Sequence, residues 1–385
     1  MPARCRIPDL SIAGLPATLP LIMPPLPLRP VVGSTRRLYF PSLDGARGLA
    51  ILLVLLDHFS SAKLIPYPVL RGAGHVGVYL FFSLSAFLLT EPFCFKSPAS
   101  LLQWQTWSVY LWRRFLRIYP LYAIVLITGH LAGIGFSWAD IANHLLLRKG
   151  ESIFWSMEIE TKYYFVLPLV LLTFLVAWRR STLLGTFCTA GLAGVLLTLF
   201  HADGSWWSLD GHVLRSYLPV FLLGSGAGAL SAFLALHPAR SHFVPWAWEA
   251  AAIASLAGSL LLLPGIARML PKALAPGWHS GIALCALYWA LFLPAHLHGV
   301  GGVKRLFEWR PLRYLGLISY SLYLWHEVVI HCVWLFKQSN RSVTGEHWQL
   351  YAVATLAISI LAASLSFFLI ERPCSRFKAR FTRSL

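Results

Sequence analysis

From Arg36 onward the chain alternates between long apolar runs and short polar joints. A bilayer core of about 30 Å needs about 20 helical residues, and runs of that order recur over 46–62, 75–95, 113–134, 157–178, 182–200, 213–235, 247–264, 278–296, 314–336 and 350–370. The pattern predicts an all-α, polytopic membrane protein of about ten transmembrane helices. Residues 1–35 read differently. Pro2, Pro8, Pro16, Pro20, Pro24, Pro25, Pro27 and Pro30 interrupt every apolar stretch, and each removes a backbone donor and clashes with the preceding turn. That segment is expected to be a disordered tail. Residues 36–372 are expected to form the membrane domain, and 373–385 a short basic tail suited to anionic headgroups.

Composition sharpens this reading. Of 385 residues 57% are hydrophobic and 12% charged, where soluble domains average about 25% charged. Mean hydropathy is +0.64. So few charges cannot cover the surface of a soluble enzyme, a disordered scaffold or a fibre. The formal net charge is +17. A nucleic-acid binder gathers such charge in solvated patches, but here the basic residues stand in short clusters between apolar runs. With the N-terminus in the cytoplasm, twenty-one Lys and Arg fall in inner segments and nine in outer ones, Arg47 and Lys162 lying inside spans. The positive-inside rule then puts both termini in the cytoplasm, as in a multi-pass membrane protein. The six cysteines are scattered without a CxxC pair, which supports neither a disulfide framework nor a zinc site.

Polar residues inside spans are costly and mark function by default. Arg47 and His58 are eleven apart, three helical turns plus about 20°, so they share a face about 16 Å apart along the axis. This stripe suits an extended anionic ligand; a packing histidine with a snorkelling arginine is the plainer reading. Asp57 is rotated about 100° from His58. Arg114 and Arg117 are neighbours on one face, as a phosphate clamp or as topology-setting charge. Glu158 and Glu160 lie about 200° apart, so one should face inward; both could equally be interfacial acids at a helix start. His326 falls near the depth of His58 on an unusually polar span with Tyr323. Its five-residue offset from His331 is poor for shared ligation and no third ligand is evident, so no metal is expected. Gly224, Gly226 and Gly228 sit in an apolar span without a preceding strand and read as close helix packing. There is no GxxxxGK[ST] loop for nucleotide-driven pumping, and no histidine has an aspartate five positions later.

Several separated elements resemble acyltransferase family 3, the integral membrane O-acyltransferases. They are SLDGARGLAILLVLLDHF with its Arg-x10-His pair, GVYLFFSLSAFLL, RRFLRIYPLY, WSMEIETKYYFVLPL, LGLISYSLYLWH and a terminal ERP, in order from Tyr39 to Pro373. Ala86 stands where the family usually has glycine, and Val328 where a proline often follows the histidine. The resemblance implies transfer of an acyl group, often acetyl, from cytoplasmic acyl-CoA to a hydroxyl of a carbohydrate or glycoside. Acyl-CoA is then a co-substrate, and no permanently bound cofactor is expected. By motif position Arg47, Arg114 and Arg117 would hold the CoA phosphates. His58 would act as general base or acyl carrier, and Glu160, rather than Glu158, would hold the imidazole. His326, Tyr323 and Asp57 would stand on the acceptor side. A transporter of a polar glycoside or lipid-linked sugar is the alternative, although the chain lacks the internal repeat many transporters show. Consumption of acyl-CoA separates the two.

Overall fold

The computed structural model describes residues 40–177, 208–209, 212–236, 245–269, 278–339 and 348–381. The proline-rich segment 1–35 and the expected span 182–200 lie outside these residues. Each of the other nine apolar runs coincides with a helix. In chain order the helices are α1 (Pro41–Ser61), α2 (Ala73–Cys94), α3 (Trp104–Leu131), α4 (Trp138–Leu145) and α5 (Trp155–Leu171, prolonged by a wider turn over Leu172–Ala177). There follow α6 (Leu214–Leu236), α7 (Pro245–Leu261), α8 (Trp278–His298), α9 (Gly302–Phe307) and α10 (Arg310–Leu317). The last are α11 (Ser319–Ser339), α12 (Trp348–Ser366, with a wider turn over Phe367–Glu371) and α13 (Arg372–Phe381). The one exception to helix among the described regular elements is a two-residue antiparallel pair, Ser208–Leu209 with His212–Val213.

One boundary differs in kind from the expected pattern. The ninth run, expected over 314–336, begins at Ser319, and Arg310–Leu317 forms a helix of its own. Pro311 opens it with a pre-set φ, and its Gly316 face lies flat against α1. Three stretches, Pro68–Cys94, Tyr217–Ala235 and Trp348–Arg376, are long and apolar enough by themselves to cross a membrane. Helices α1, α3 and α11 carry ionisable residues within their apolar stretches, Asp44, Arg47 and Asp57, then Arg113, Arg114 and Arg117, then His326, Glu327 and His331.

Helix α1 sits at the centre, packed against α2, α9, α10 and α11. Its start is marked by Pro41 in the first turn and Asp44 near the helix N-terminus, where proline is preorganised and negative charge is favoured. Small residues allow the close packing. A Cβ on Gly45 would run into the Phe307 carbonyl, one on Gly48 into the Leu312 carbonyl, and one on Gly316 into the Asp44 carbonyl. Backbone approaches backbone there, as small-residue seams permit. Gly224 and Gly228 of α6 meet the Ser83 and Phe87 carbonyls of α2 in the same way, while Gly226 has open space beside it. Opposite α1, the α12 residues Leu350, Val353, Ile358, Leu361 and Leu365 are exposed.

Candidate active site

Two cavities lie end to end along α1. The first, of about 50 Å3, is lined by Arg47 of α1, Ser85 of α2, Arg117 of α3, Glu160 and Tyr164 of α5, and Tyr320 of α11. The second, of about 430 Å3, is lined by Asp57, His58 and Ser61 of α1, Gly74 and His75 of α2, Ser152, Trp155 of α5, and Glu327 of α11. Val78 and Tyr323 line both. They form the neck between an arginine cavity and a histidine cavity. The helical stripes explain the stacking. Residues 74, 78, 81 and 85, with 75 beside them, descend one face of α2 while 320, 323, 327 and 330 climb one face of α11, both series running at three- and four-residue steps.

Tyr323 is pinned in the neck. Its hydroxyl donates to the Ile153 carbonyl (2.8 Å) and accepts from Ser156 Oγ (2.7 Å). In the arginine cavity, Arg47 pairs with Asp44 at 3.2 Å. Arg117 is exposed at the mouth. Arg114 lies behind, its guanidinium carbon 5.8 Å from the centroid of the Tyr164 ring, and is not a lining residue.

In the histidine cavity, His58 Nδ1 and His326 Nε2 are 2.6 Å apart. The ring planes differ by 12° with centroids 4.8 Å apart. That separation is close to the nitrogen–nitrogen distance plus the two ring radii, so the rings lie end to end rather than face on face. His326 Nδ1 faces the Leu322 carbonyl at 3.1 Å, which can only accept. In the neutral imidazole Nδ1 therefore carries the proton and Nε2 is the acceptor. His58 must then donate from Nδ1, which leaves the lone pair of its own Nε2 for the cavity. His326 itself is fully buried and does not line the cavity. The residue expected on the acceptor side is instead the hydrogen-bond partner of His58.

Two further expectations change. Glu160 does not reach His58. It lies at the arginine end, where its Oε1 accepts from Ser85 Oγ and from the Tyr164 hydroxyl (2.6 Å). The acid beside His58 is Glu327, whose Oε2 is 3.9 Å from Nδ1. The cause is the descent of α5: about one and a half turns on from Trp155, Glu160 has already passed the neck. Glu158, buried on the other face, pairs with Lys162. Asp57 lines the histidine cavity but is engaged in structure. Its carboxylate accepts from the Gly72 and Gly74 N–H groups at 2.8 and 3.0 Å, capping α2 from a neighbouring helix, since Gly72 offers no side-chain cap. Asp57→Ala should leave those donors unpaired and cost roughly 1–3 kcal/mol, seen as a lower Tm of the purified protein; Asp57→Asn, which keeps one acceptor oxygen, should lose less.

No third metal ligand was evident beside His326 and His331 in sequence. Across helices His58, His326 and Glu327 do bring three potential ligand atoms within 4.8 Å of one another. Two nitrogens sharing a tetrahedral ion at about 2.0–2.1 Å would stand about 3.3 Å apart, so 2.6 Å describes a hydrogen bond instead.

The loop before α5 brings Ser152 to the cavity. Ser152 adopts φ +49°, a left-handed conformation uncommon outside glycine, and its Oγ donates to Glu327 Oε1 at 3.3 Å. Behind it Lys149 binds both Asp140 and Glu151 at 2.7 Å. Hydrogen bonds from Lys149 and from Ser137 hold the Asp140 carboxyl well below the usual carboxylate range.

The family model described as an acyltransferase domain matches residues 40–370. The chain belongs to this acyltransferase family. Among its relatives, the peptidoglycan O-acetyltransferase OatA of Listeria monocytogenes is 25% identical over 88% of this chain and 56% of its own length. A Staphylococcus aureus protein provisionally named an O-acetyltransferase is 23% identical over 87% of this chain and 57% of its own. A Komagataeibacter xylinus protein provisionally named a membrane-bound transacylase is 24% identical over 86% and 81%. The chain thus spans little more than half the length of the first two. No solved structure matches it. Within this acyltransferase domain, sequence reading does not single out Ser152, His75 and Trp155 of the histidine cavity or Ser85 and Tyr164 of the arginine cavity, and it marks Glu327 only as one of the polar residues of its span. Glu327 was within reach of sequence reasoning, because it is an ionisable residue inside a predicted span.

Proposed function

We propose that the chain is a membrane O-acyltransferase that moves an acyl group, acetyl in the first instance, from acyl-CoA to a hydroxyl of a carbohydrate or glycoside, with His58 as general base. The His58–His326 hydrogen bond carries this reading. It supplies a fixed tautomer with a free Nε2 lone pair in a cavity that adjoins an arginine-lined one.

In this reading Arg117 at the mouth and Arg47 behind it take the CoA phosphates, with Arg114 adding positive potential. Guanidinium groups suit phosphate through bidentate bonding. The roughly 16 Å from Arg47 to His58 is the span of the thin pantetheine arm. The thioester then sits at the neck. His58 Nε2 takes the proton of the acceptor hydroxyl as that oxygen attacks the thioester carbonyl. The tetrahedral intermediate expels the CoA thiolate, which receives the proton from the His58 imidazolium. A new ester and free CoA result, and His58 returns to its starting form. During the step His326 keeps the imidazole aimed, the role an orienting partner plays for a catalytic histidine. Glu160, held by Ser85 and Tyr164, separates the guanidinium groups from the neck.

The relatives named O-acetyltransferases support an acetyl donor and, with the peptidoglycan enzyme among them, a carbohydrate acceptor. Family membership favours this reading over a transporter. The distribution of Lys and Arg supports about ten spans with both termini in the cytoplasm and the arginine cavity on that side. The chain then lies in a bacterial plasma membrane, with a tail over 1–35 and a basic end over 373–385.

The test is acetyl-CoA turnover by the purified protein in lipid vesicles with a panel of glycosides. CoA release that requires an acceptor hydroxyl supports the reading; no release from acetyl-CoA or longer acyl-CoAs with any acceptor overturns it. The neck makes a further prediction. Val78 is buried in it, and a pocket shortened by a few methyl groups discriminates about tenfold or more against each added methylene. Val78→Ala should raise the rate with butyryl-CoA relative to acetyl-CoA by about tenfold, read as a ratio of kcat/KM values.

A further inference from the structure

The two cavities differ in charge. Among the described residues lining the histidine cavity there is no Lys or Arg, but there are two carboxylates, Asp57 and Glu327. Asp57 is neutralised in effect by two backbone N–H donors and Ser61. Glu327 is not. Its partners are a 3.3 Å hydrogen bond from Ser152 and the flank of His58 at 3.9 Å, and His58 has to be neutral to accept a proton. In the working state Glu327 therefore presents an uncompensated carboxylate to the cavity, with about a third of its side chain accessible. An isolated charge in such a setting is costly unless a counter-charge meets it. The cavity volume of about 430 Å3 falls within the range that holds small-molecule ligands, roughly 300–1,000 Å3. Trp155 and His75 add flat ring edges on one wall, an arrangement suited to a pyranose.

We propose that Glu327 makes the histidine cavity a subsite for an acceptor that carries a protonated amine near its reacting hydroxyl, an amino sugar in type, and sets it against acceptors bearing a carboxylate there. This rests on the acyl-transfer reading for the identity of the ligand as acceptor, but the charge selection is a property of the cavity itself. Ser152, held in its left-handed conformation, fixes one carboxylate oxygen and leaves Oε2 for the ammonium. The arginine cavity, with Arg47 and Arg117, repels the same cation. The acceptor is thereby confined to the histidine side and the anionic donor to the arginine side.

Binding without acyl-CoA tests the charge selection apart from catalysis. Three methyl glycosides of one size would be titrated calorimetrically into the full chain in detergent: methyl glucoside, methyl glucosaminide with its amine protonated, and methyl glucuronide. The wild type should bind the amine about tenfold more tightly than the neutral sugar and the carboxylate about tenfold less tightly. Glu327→Gln should bring all three within about threefold, and Glu327→Lys should reverse the order, a result that misfolding cannot produce. The same order in the wild type and both variants, or equal binding of all three by the wild type, would overturn the proposal. Turnover of acetyl-CoA with the neutral glucoside, measured in parallel on the wild type, reports on acyl transfer alone. Its failure together with charge-ordered binding would sink the transferase reading and leave the subsite standing.

Discussion

Replacing His58 by Ala is expected to lower kcat for acceptor-dependent CoA release by roughly 10²–10⁴-fold, the contribution of a positioned general base. The KM for acetyl-CoA should stay within about threefold, because in the proposed mode the donor phosphates are held by Arg117 of α3 and by Arg47, some 16 Å from His58 along α1. His58 contacts His326 and borders a cavity, so truncation removes no buried helix-packing contact comparable to the glycine seam at Gly45 and Gly48. The variant should insert and fold. Stopped-assay CoA release and a thermal melt of the same preparation check both halves. Full activity would remove His58 from the chemistry, and acyl label retained on wild-type protein but not on His58→Ala would make it an acyl carrier instead.

The second large effect concerns His326, which lines neither of the two cavities and in the proposed mechanism acts through His58. His326→Ala should lower kcat by roughly 10²–10³-fold, because His58 Nδ1 loses its acceptor and the imidazole can present a proton where the lone pair is needed. Loss of the orienting partner alone costs a catalytic histidine about 10⁴-fold in the best-studied triad. His326→Gln offers an amide oxygen to the same Nδ1–H and should recover activity to within about tenfold of wild type. A merely structural role predicts the opposite pattern: equal losses in both variants, matched by equal losses in Tm and a raised KM for acetyl-CoA. The kcat and KM pair, with the pH profile of kcat for each variant, distinguishes the two.

The sequence made the helices legible because a 20-residue apolar run has few folded forms in a bilayer. Nine runs coincide with helices. The eleven-residue spacing of Arg47 and His58 on α1 likewise places one in each cavity, since helical phase over three turns is set by geometry alone. What failed was depth between helices. Glu160 was assigned to His58 on the assumption that both lay at one level, but α5 runs antiparallel to α1 and carries Glu160 past the neck to Arg47's end. The resemblance puts His326 on the acceptor side by motif position alone. Only the packing of α11 on α1 shows the ring end to end with His58. Asp57, a turn of about 100° from His58, is free in sequence to face another helix or the acceptor, and nothing there announces that Gly72 leaves α2 without a side-chain cap. Ser152 depends on a loop conformation at positive φ that a serine does not signal. In each case the missing information is the register of one helix against another, which single-helix periodicity does not contain.

In the proposed reaction donor and acceptor meet at the Val78–Tyr323 neck from opposite sides, and that arrangement is open to direct test. It is tested most directly with protein reconstituted in one orientation in sealed vesicles, with radiolabelled acetyl-CoA on the arginine side and a glycoside acceptor only on the histidine side. The account predicts labelled ester in the acceptor's compartment and free CoA in the donor's, and neither with His58→Ala. Ester formed only when both substrates share one compartment would contradict it.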